Sequence, residues 1–330
     1  MDWVFVVDRA LSAGIGQEAV IFALAAIGLN IHFGYTGLLN FGQVAFLAAA
    51  AYGVGVTVVT YDLPLGLGFV VGILACVVLA LLLGIPTLRL RADYLAIVTI
   101  AVSEIIRLSA RSVTLRDFSG GSNGLSGFSD GFYELNPLPD GDYGVWEVTF
   151  SANRTWVLLV GWTLVAATTL LVFLLMRSPW GRVLKAIRED EEAARSLGKN
   201  VFSYKMQSLV LGGVIGGFAG FVFAIGTAAV QPDNYSPPLT FFAYAVLILG
   251  GTARVLGPVV GSMIFWFLVV GFEAFMREAV TNDLIPDALV DSNDVGFFRF
   301  MLVGLALVLL MVFRPQGLFG DRKELALDVR

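Results

Sequence analysis

The sequence predicts an all-α integral membrane protein: a polytopic helical bundle of about eight to nine transmembrane segments with an amphipathic helix on its cytoplasmic side. Three observations carry that prediction. The chain is 57% hydrophobic and 14% charged, with a mean hydropathy of +0.82, a composition suited to lipid and unsuited to a soluble domain. Its apolar residues gather into long runs bounded by polar or turn residues. Between two of those runs, residues 178–205 are rich in charge yet keep apolar side chains at helical spacing.

The apolar runs lie near 18–33, 38–59, 66–84, 94–110, 155–176, 206–229, 256–276 and 300–313. A ninth, 239–252, would reach only ~20 Å as a helix, short of a hydrocarbon core of ~30 Å, so it either re-enters or crosses tilted. Residues 1–330 read as one transmembrane domain. No cleavable signal is expected, because the apolar start at Trp3 to Val7 is too short for a signal core and the first long run belongs to the bundle.

Letting every run cross once sorts the cations unevenly. One side receives every lysine together with Arg89, Arg91, Arg177, Arg182, Arg188, Arg195, Arg254, Arg314, Arg322 and Arg330. The other keeps Arg9, Arg111, Arg116, Arg154, Arg277 and Arg299, with Arg107 near a helix end. The positive-inside rule places the first set in the cytoplasm and the N-terminus outside, and the alternation favours nine passes over eight. The outer face is acidic, through Asp130, Glu134, Asp140, Asp142 and Glu147 in one loop and Glu278, Asp283, Asp287, Asp291 and Asp294 in another. The net charge is −5. That surface suits solvation more than a basic partner, and no nucleic acid is expected to bind. The extracytoplasmic loop 112–153 is rich in Gly, Ser, Asn and Pro and long enough to hold small structure of its own, a lid or a docking surface.

The cytoplasmic loop 178–205 opens with Ser178 as a cap and Pro179 at the first helical position, and Gly198 offers a stop, framing one helix of about five turns. Trp180, Val183, Leu184, Ile187, Ala194 and Leu197 share one face, with Arg182, Lys185, Arg188 and Glu189 largely off it. Glu192, Ala193, Ala194 and Gly198 form E-A-A-x-x-x-G, which resembles the cytoplasmic loop of bacterial ABC importer permeases. Paired small residues let another backbone approach closely, and the glycine allows a left-handed exit.

Cys76 is the only cysteine, excluding an internal disulfide, and is expected to be a packing residue. His32, the only histidine, has no nearby carboxylate with which to build a metal site or a hydrolytic triad. Gly198 and Lys199 are followed by Asn200, and the G-x-x-x-x-G-K-[ST] pattern that cradles phosphates is absent. No cofactor or metal is expected on this chain, and any ATP is expected to be hydrolysed elsewhere.

Five blocks, in order, make the resemblance specific. GLNIHFGYTGLLNFGQVAFLAAAAYG, LRLRADYLAIVTIAVSEIIRL, SGGSNGLSGF, SPWGRVLKAIREDEEAARSLGKN, and LILGGTARVLGPVVGS with FRPQGLFG are similar to the blocks of LivM-type permeases of the branched-chain amino-acid ABC importer family. The resemblance implies a multi-pass protein of the cell inner membrane. Its implied partners are a homologous second permease, two cytoplasmic ATP-binding subunits and an extracytoplasmic solute-binding protein. It also implies import, and a coupling role for Trp180, Leu184, Ile187, Glu192, Ala193, Ala194 and Gly198. Two departures bear on selectivity. Ala243, Tyr244 and Ala245 stand where relatives often carry a small hydroxyl residue, and Asn40 and Gln43 replace the more familiar serine and histidine. Urea or short amides therefore stand beside amino acids as cargo, and a self-sufficient secondary transporter or channel is the alternative class.

A pathway needs polar groups and irregular backbone shielded from lipid. Gly34, Gly37 and Gly42 permit a break, while Asn30, Tyr35, Thr36, Asn40 and Gln43 offer hydrogen bonds. These residues either line the pathway or form a polar kink that fastens helices. Thr99 and Ser103 form a polar stripe beside an expected Glu104–Arg107 pair, and the turn at Gly250, Gly251, Gly257 and Pro258, next to Tyr244, is a second candidate wall. Gly212, Gly216 and Gly220 read as close helix packing.

Overall fold

A computed structural model describes residues 2–88, 92–145 and 148–282, with scattered residues between 296 and 320. Helix α1 (Trp3–Ile15) starts at Asp2, whose carboxylate accepts from the Val4 and Phe5 amides. It breaks at the extended Gly16 and resumes as α2 (Gln17–Leu29), which widens into a π-helical turn over Asn30–Tyr35. The sequence reading began this first span at residue 18. Val6, Ala10 and Gly14, four apart, are the buried stripe that makes the preceding residues a helix as well. A loop from residue 36 to 42 leads to α3 (Gln43–Gly55), followed by α4 (Leu65–Thr87), α5 (Ala92–Arg111) and α6 (Ala152–Arg177).

Two short helices follow, α7 (Pro179–Glu189) and α8 (Glu191–Ser196). Then come the long α9 (Val201–Thr227), the short α10 (Pro238–Gly250) and α11 (Gly257–Thr281). Among the described residues six helical stretches are long and apolar enough to cross a membrane: Trp3–Tyr35, Gln43–Thr60, Leu65–Thr87, Ala152–Arg177, Val201–Thr227 and Gly257–Thr281. The expected run 94–110 is a 20-residue helix, α5, outside that set, since Glu104, Arg107 and Arg111 dilute its apolar character. The expected run 300–313 lies largely outside the described residues. So do Arg89, Arg91, Glu147, Asp283, Asp287, Asp291, Asp294, Arg299, Arg322, Lys323 and Arg330.

α9 is the axis of the bundle. α2 and α3 pack along it where Gly212, Gly216 and Gly220 remove side-chain bulk, so Gly28 and Leu47 bring their backbones against it. At one end of α9, Ser129 and Tyr133 of the 112–153 loop donate to the Ile225 carbonyl at 3.2 and 3.0 Å. At the other, Trp180 of α7 donates to Gln207 at 2.8 Å. From the first end the chain runs back through strand Ala229–Val230 and a turn at Pro232–Tyr235 into α10. It reaches Arg254 at the α7 end, where Asn30 donates to the Arg254 carbonyl at 2.8 Å. The short helix together with the strand and turns that flank it thus links one end of the bundle to the other.

The 112–153 loop does hold structure: short helical turns at Arg116–Ser119 and Asp130–Tyr133, and a hairpin of Asp142–Val145 with Val148–Ser151. Its strand Leu125–Ser126 pairs antiparallel with Ala229–Val230. Cys76 is buried, with its thiol on the Phe46 carbonyl at 3.3 Å, as a packing residue should be.

Candidate functional site

The loop 36–42 is where regular backbone stops inside the bundle. A π turn leaves carbonyls without the usual i+4 donor, and three of them here find another partner. Leu38 donates its amide to the His32 carbonyl at 2.8 Å, and the Thr36 hydroxyl donates to the Ile31 carbonyl at 2.8 Å. The Gly34 carbonyl accepts from the Arg188 guanidinium of α7 at 2.6 Å. Gly37 takes a left-handed φ of 75°, which glycine adopts without strain. Gly42 lies so close to the α5 backbone at Thr99 that a β-carbon would collide with it.

The polar residues of this region are buried and bonded to one another. Asn40 donates to Gln43 at 3.0 Å and to His32 Nδ1 at 3.1 Å, while its oxygen accepts from the Gly42 amide at 3.0 Å. His32 Nε2 faces the Leu209 carbonyl at 3.2 Å. A carbonyl only accepts, so Nε2 carries the proton and Nδ1 is left to accept from Asn40. Gln43 donates to the Gly212 carbonyl at 3.2 Å. Thr99 accepts from the Phe41 amide at 3.1 Å, Thr240 from the Val44 amide at 3.0 Å, and the Tyr244 hydroxyl donates to the Asn40 carbonyl at 3.0 Å.

Asn40, Gln43, Thr99 and Tyr244 therefore converge on the loop. The other predicted candidates do not join them. Asn30 clips the turn at residues 253–254, accepting from the Ala253 amide at 2.9 Å as well as donating to Arg254. Thr36 pairs with Ser208 at 2.7 Å, Ser103 returns its hydroxyl to the Ile100 carbonyl, and Tyr35 lies under the Lys185 ammonium. Sequence reasoning missed His32, Ser208, Thr240 and Arg188. A lone histidine within a block holding Asn30, Thr36, Asn40 and Gln43 was the available signal for the first. Also missed is an aromatic cluster beside the loop: Phe41 stands 5.0 Å from Tyr244 and 5.8 Å from Phe241, and Phe33 lies 5.7 Å from Tyr244.

Towards the 112–153 end, Glu104 and Arg107 pair at 2.8 Å as expected, and Asp233 joins them at 2.9 Å from Arg107 and 3.3 Å from Arg111. This quartet ties α5 to the chain entering α10. Burial lifts the nearby Tyr235 phenol above its ordinary range, so it stays neutral. Glu273 and Arg277 pair at 2.9 Å on α11.

The loop 178–205 differs from its prediction in two respects. It is not one helix of about five turns: Asp190, with φ −154°, is extended and separates α7 from α8, and its side chain caps α8 by accepting from the Ala193 amide at 2.9 Å. Nor does Leu197 share the docked face, since it lies beyond the last helical residue and is 79% exposed. The rest of that face packs inward. Leu184 and Ile187 are buried, Ala194 is buried against Ile187 and Val201, and Trp180 is half-buried. Ser178 caps Trp180 as expected, and Gly198 ends the region at φ 78° with nothing within 4 Å of a notional β-carbon. Glu192, Ala193 and Gly198 face outward with Leu197. α7 and α8 thus grip the bundle with one side and offer small and acidic residues on the other.

A helical membrane bundle with broken backbone buried within it and an anchored amphipathic pair at one end is the architecture of a membrane transport permease. Residues 13–290 match the family model described as branched-chain amino acid transport system, permease component. The chain is 32% identical to the high-affinity branched-chain amino acid transport system permease protein LivM of Escherichia coli, over 96% of this chain and 71% of that one. The same identity and coverage hold for the LivM of Salmonella typhimurium. A probable LivM of Methanocaldococcus jannaschii is 24% identical over 92% and 91%. The chain belongs to the branched-chain amino-acid transport permease family.

Proposed function

We propose that this protein is the membrane-spanning subunit of an ATP-driven importer of branched-chain or other small amino acids in the cell inner membrane. Its partners would be a homologous second permease, two cytoplasmic ATP-binding subunits and an extracytoplasmic solute-binding protein. The observation that carries the proposal is the two-sided α7–α8 pair: Leu184, Ile187 and Ala194 anchor it, while Glu192, Ala193 and Gly198 remain open to a partner. A helix held in this way transmits a push instead of absorbing it. ATP would be hydrolysed by the partners, in keeping with the missing phosphate-cradling motif in this chain.

The pathway would open along the seam between loop 36–42, α5 and α10. Irregular backbone is tolerated at membrane depth only where protein covers it or a cavity needs it. Asn40, Gln43, Thr99 and Tyr244 supply hydrogen-bonding groups there, and Phe41 and Phe241 supply apolar surface suited to a branched side chain. The permease names of the relatives support amino acids over urea. Reconstituted uptake with and without the ATP-binding and solute-binding subunits tests the proposal, with leucine, urea and a sugar competing. ATP-dependent leucine uptake is expected, and downhill flux from this chain alone at full rate would refute it.

A further inference from the structure

α7 touches the interior of the bundle through a polar contact that its amphipathic pattern does not require. Arg188 lies near the C-terminal end of α7 and reaches the Gly34 carbonyl, one of the acceptors left open where the π turn ends. A cation at a helix C-terminus is favoured by the aligned carbonyl dipoles, and a charge-assisted hydrogen bond is roughly twice as strong as a neutral one. The stem of Arg188 packs on Gly37, whose notional β-carbon would sit 3.4 Å from Arg188 Cγ. One side chain therefore holds both the end of the first span and the start of the broken loop.

That end is also fixed from the opposite side. Asn30, on the same turn, is bonded both ways to residues 253 and 254, and a β-carbon on Gly34 would collide with the Asn30 amide and the Ala253 backbone. On either side of Gly37, His32, Asn40 and Gln43 lock the loop to α9. A displacement of α7 consequently reaches the π turn directly through the Arg188 hydrogen bond, which is shorter and more directional than the Lys185 ammonium over Tyr35 beside it.

Building on the coupling role proposed for α7 and α8, we infer that Arg188 is a positioning residue that transmits motion of these helices to the loop 36–42 through the Gly34 carbonyl. Its function is to convert nucleotide-driven movement at the cytoplasmic face into opening of the loop, and it touches neither solute nor ATP.

The test uses the complete transporter in liposomes, with Arg188→Met, Arg188→Gln and Arg188→Lys compared for solute taken up per ATP hydrolysed. Met keeps the stem against Gly37 without a donor, Gln offers a neutral donor, and Lys a charged one. The ratio is expected to rise in the order Met, Gln, Lys, Arg, with Met about ten-fold below the natural protein, as loss of one charge-assisted hydrogen bond allows, and hydrolysis within about two-fold. If the Met variant does not assemble, Gln and Lys against Arg carry the same ordering. A flat series overturns the inference, as does a parallel fall of uptake and hydrolysis. Absence of ATP-driven uptake in the natural complex would instead overturn the transport proposal itself.

Discussion

Replacing Asn40 by alanine should destabilise the bundle by about 2–5 kcal/mol, a range that follows from its three hydrogen bonds. At ~0.6 kcal/mol each, the average for side-chain hydrogen bonds inside membranes, the loss is about 2 kcal/mol. Because Asn40 is fully buried, the truncation also leaves Gln43 Oε1, His32 Nδ1 and the Gly42 amide without partners, and at ~1.5 kcal/mol each the upper figure is about 5. Asn40→Asp should be at least as damaging despite its matching shape. The Leu209 carbonyl holds the His32 proton on Nε2, so an aspartate would set an acceptor oxygen against the two acceptors, His32 Nδ1 and Gln43 Oε1, to which Asn40 donates. The assay is denaturant unfolding of the purified permease in bicelles, with a double-mutant cycle against His32→Ala to isolate the pair. A single-mutant cost below about 0.5 kcal/mol, or a coupling near zero, would refute the reading of this cluster as a fastening.

Four other outcomes are expected. Ala193→Trp, on the exposed side, should abolish uptake in the assembled transporter while leaving the unfolding midpoint unchanged, whereas Ala194→Trp should destabilise the permease by about 1–3 kcal/mol because that methyl packs on Ile187 and Val201; equal stability of the two would contradict the assigned faces. Gly216→Ala should force the Gln43 amide off the Gly212 carbonyl and cost about 1–3 kcal/mol in the same assay, with Gly66→Ala, which has open space, as the control. Ala253 holds a left-handed φ of 57°, so Ala253→Gly should raise the melting temperature, corresponding to about 1 kcal/mol, and a fall would show that its strain is compensated elsewhere. Asp233→Asn should change stability by less than about 1 kcal/mol, because Glu104 keeps its hold on the Arg107 guanidinium and Asp233 is over half exposed; a larger cost by chemical denaturation would make the quartet cooperative.

The long apolar helices and the glycine-lined face of α9 were legible because period and residue size alone determine them. The pairing of Glu104 with Arg107 was legible for the same reason, being local at three residues' separation. What escaped depends on contacts distant in sequence. Asp233 joins that pair from 126 residues away, and His32 acquires its role only because α9 brings the Leu209 carbonyl to it. The start of α1 was obscured because Trp3, Val4, Phe5 and Val7 face outward and blur the four-residue stripe beneath. The break at Asp190 was hidden by competition between two caps. The charged run around it is compatible with continuous helix, yet an aspartate three residues before an available amide favours starting a new one. For the candidate site the sequence located the irregular block, and tertiary contacts decided which of its polar side chains meet.

The two-residue ladder between Leu125–Ser126 and Ala229–Val230 is a small stitch with a large lever arm. It sews the 112–153 segment to the very stretch of chain that feeds α10, and through α10 to the Tyr244 hydroxyl on the Asn40 carbonyl. With so few rungs it peels at little cost, so a load on this end of the bundle would unzip it before disturbing any long helix. Amide exchange at Gly127, whose N–H donates to the Ala228 carbonyl, and at Val230 should accordingly rise and fall together, and independent exchange at the two would show that the thread does not bear load.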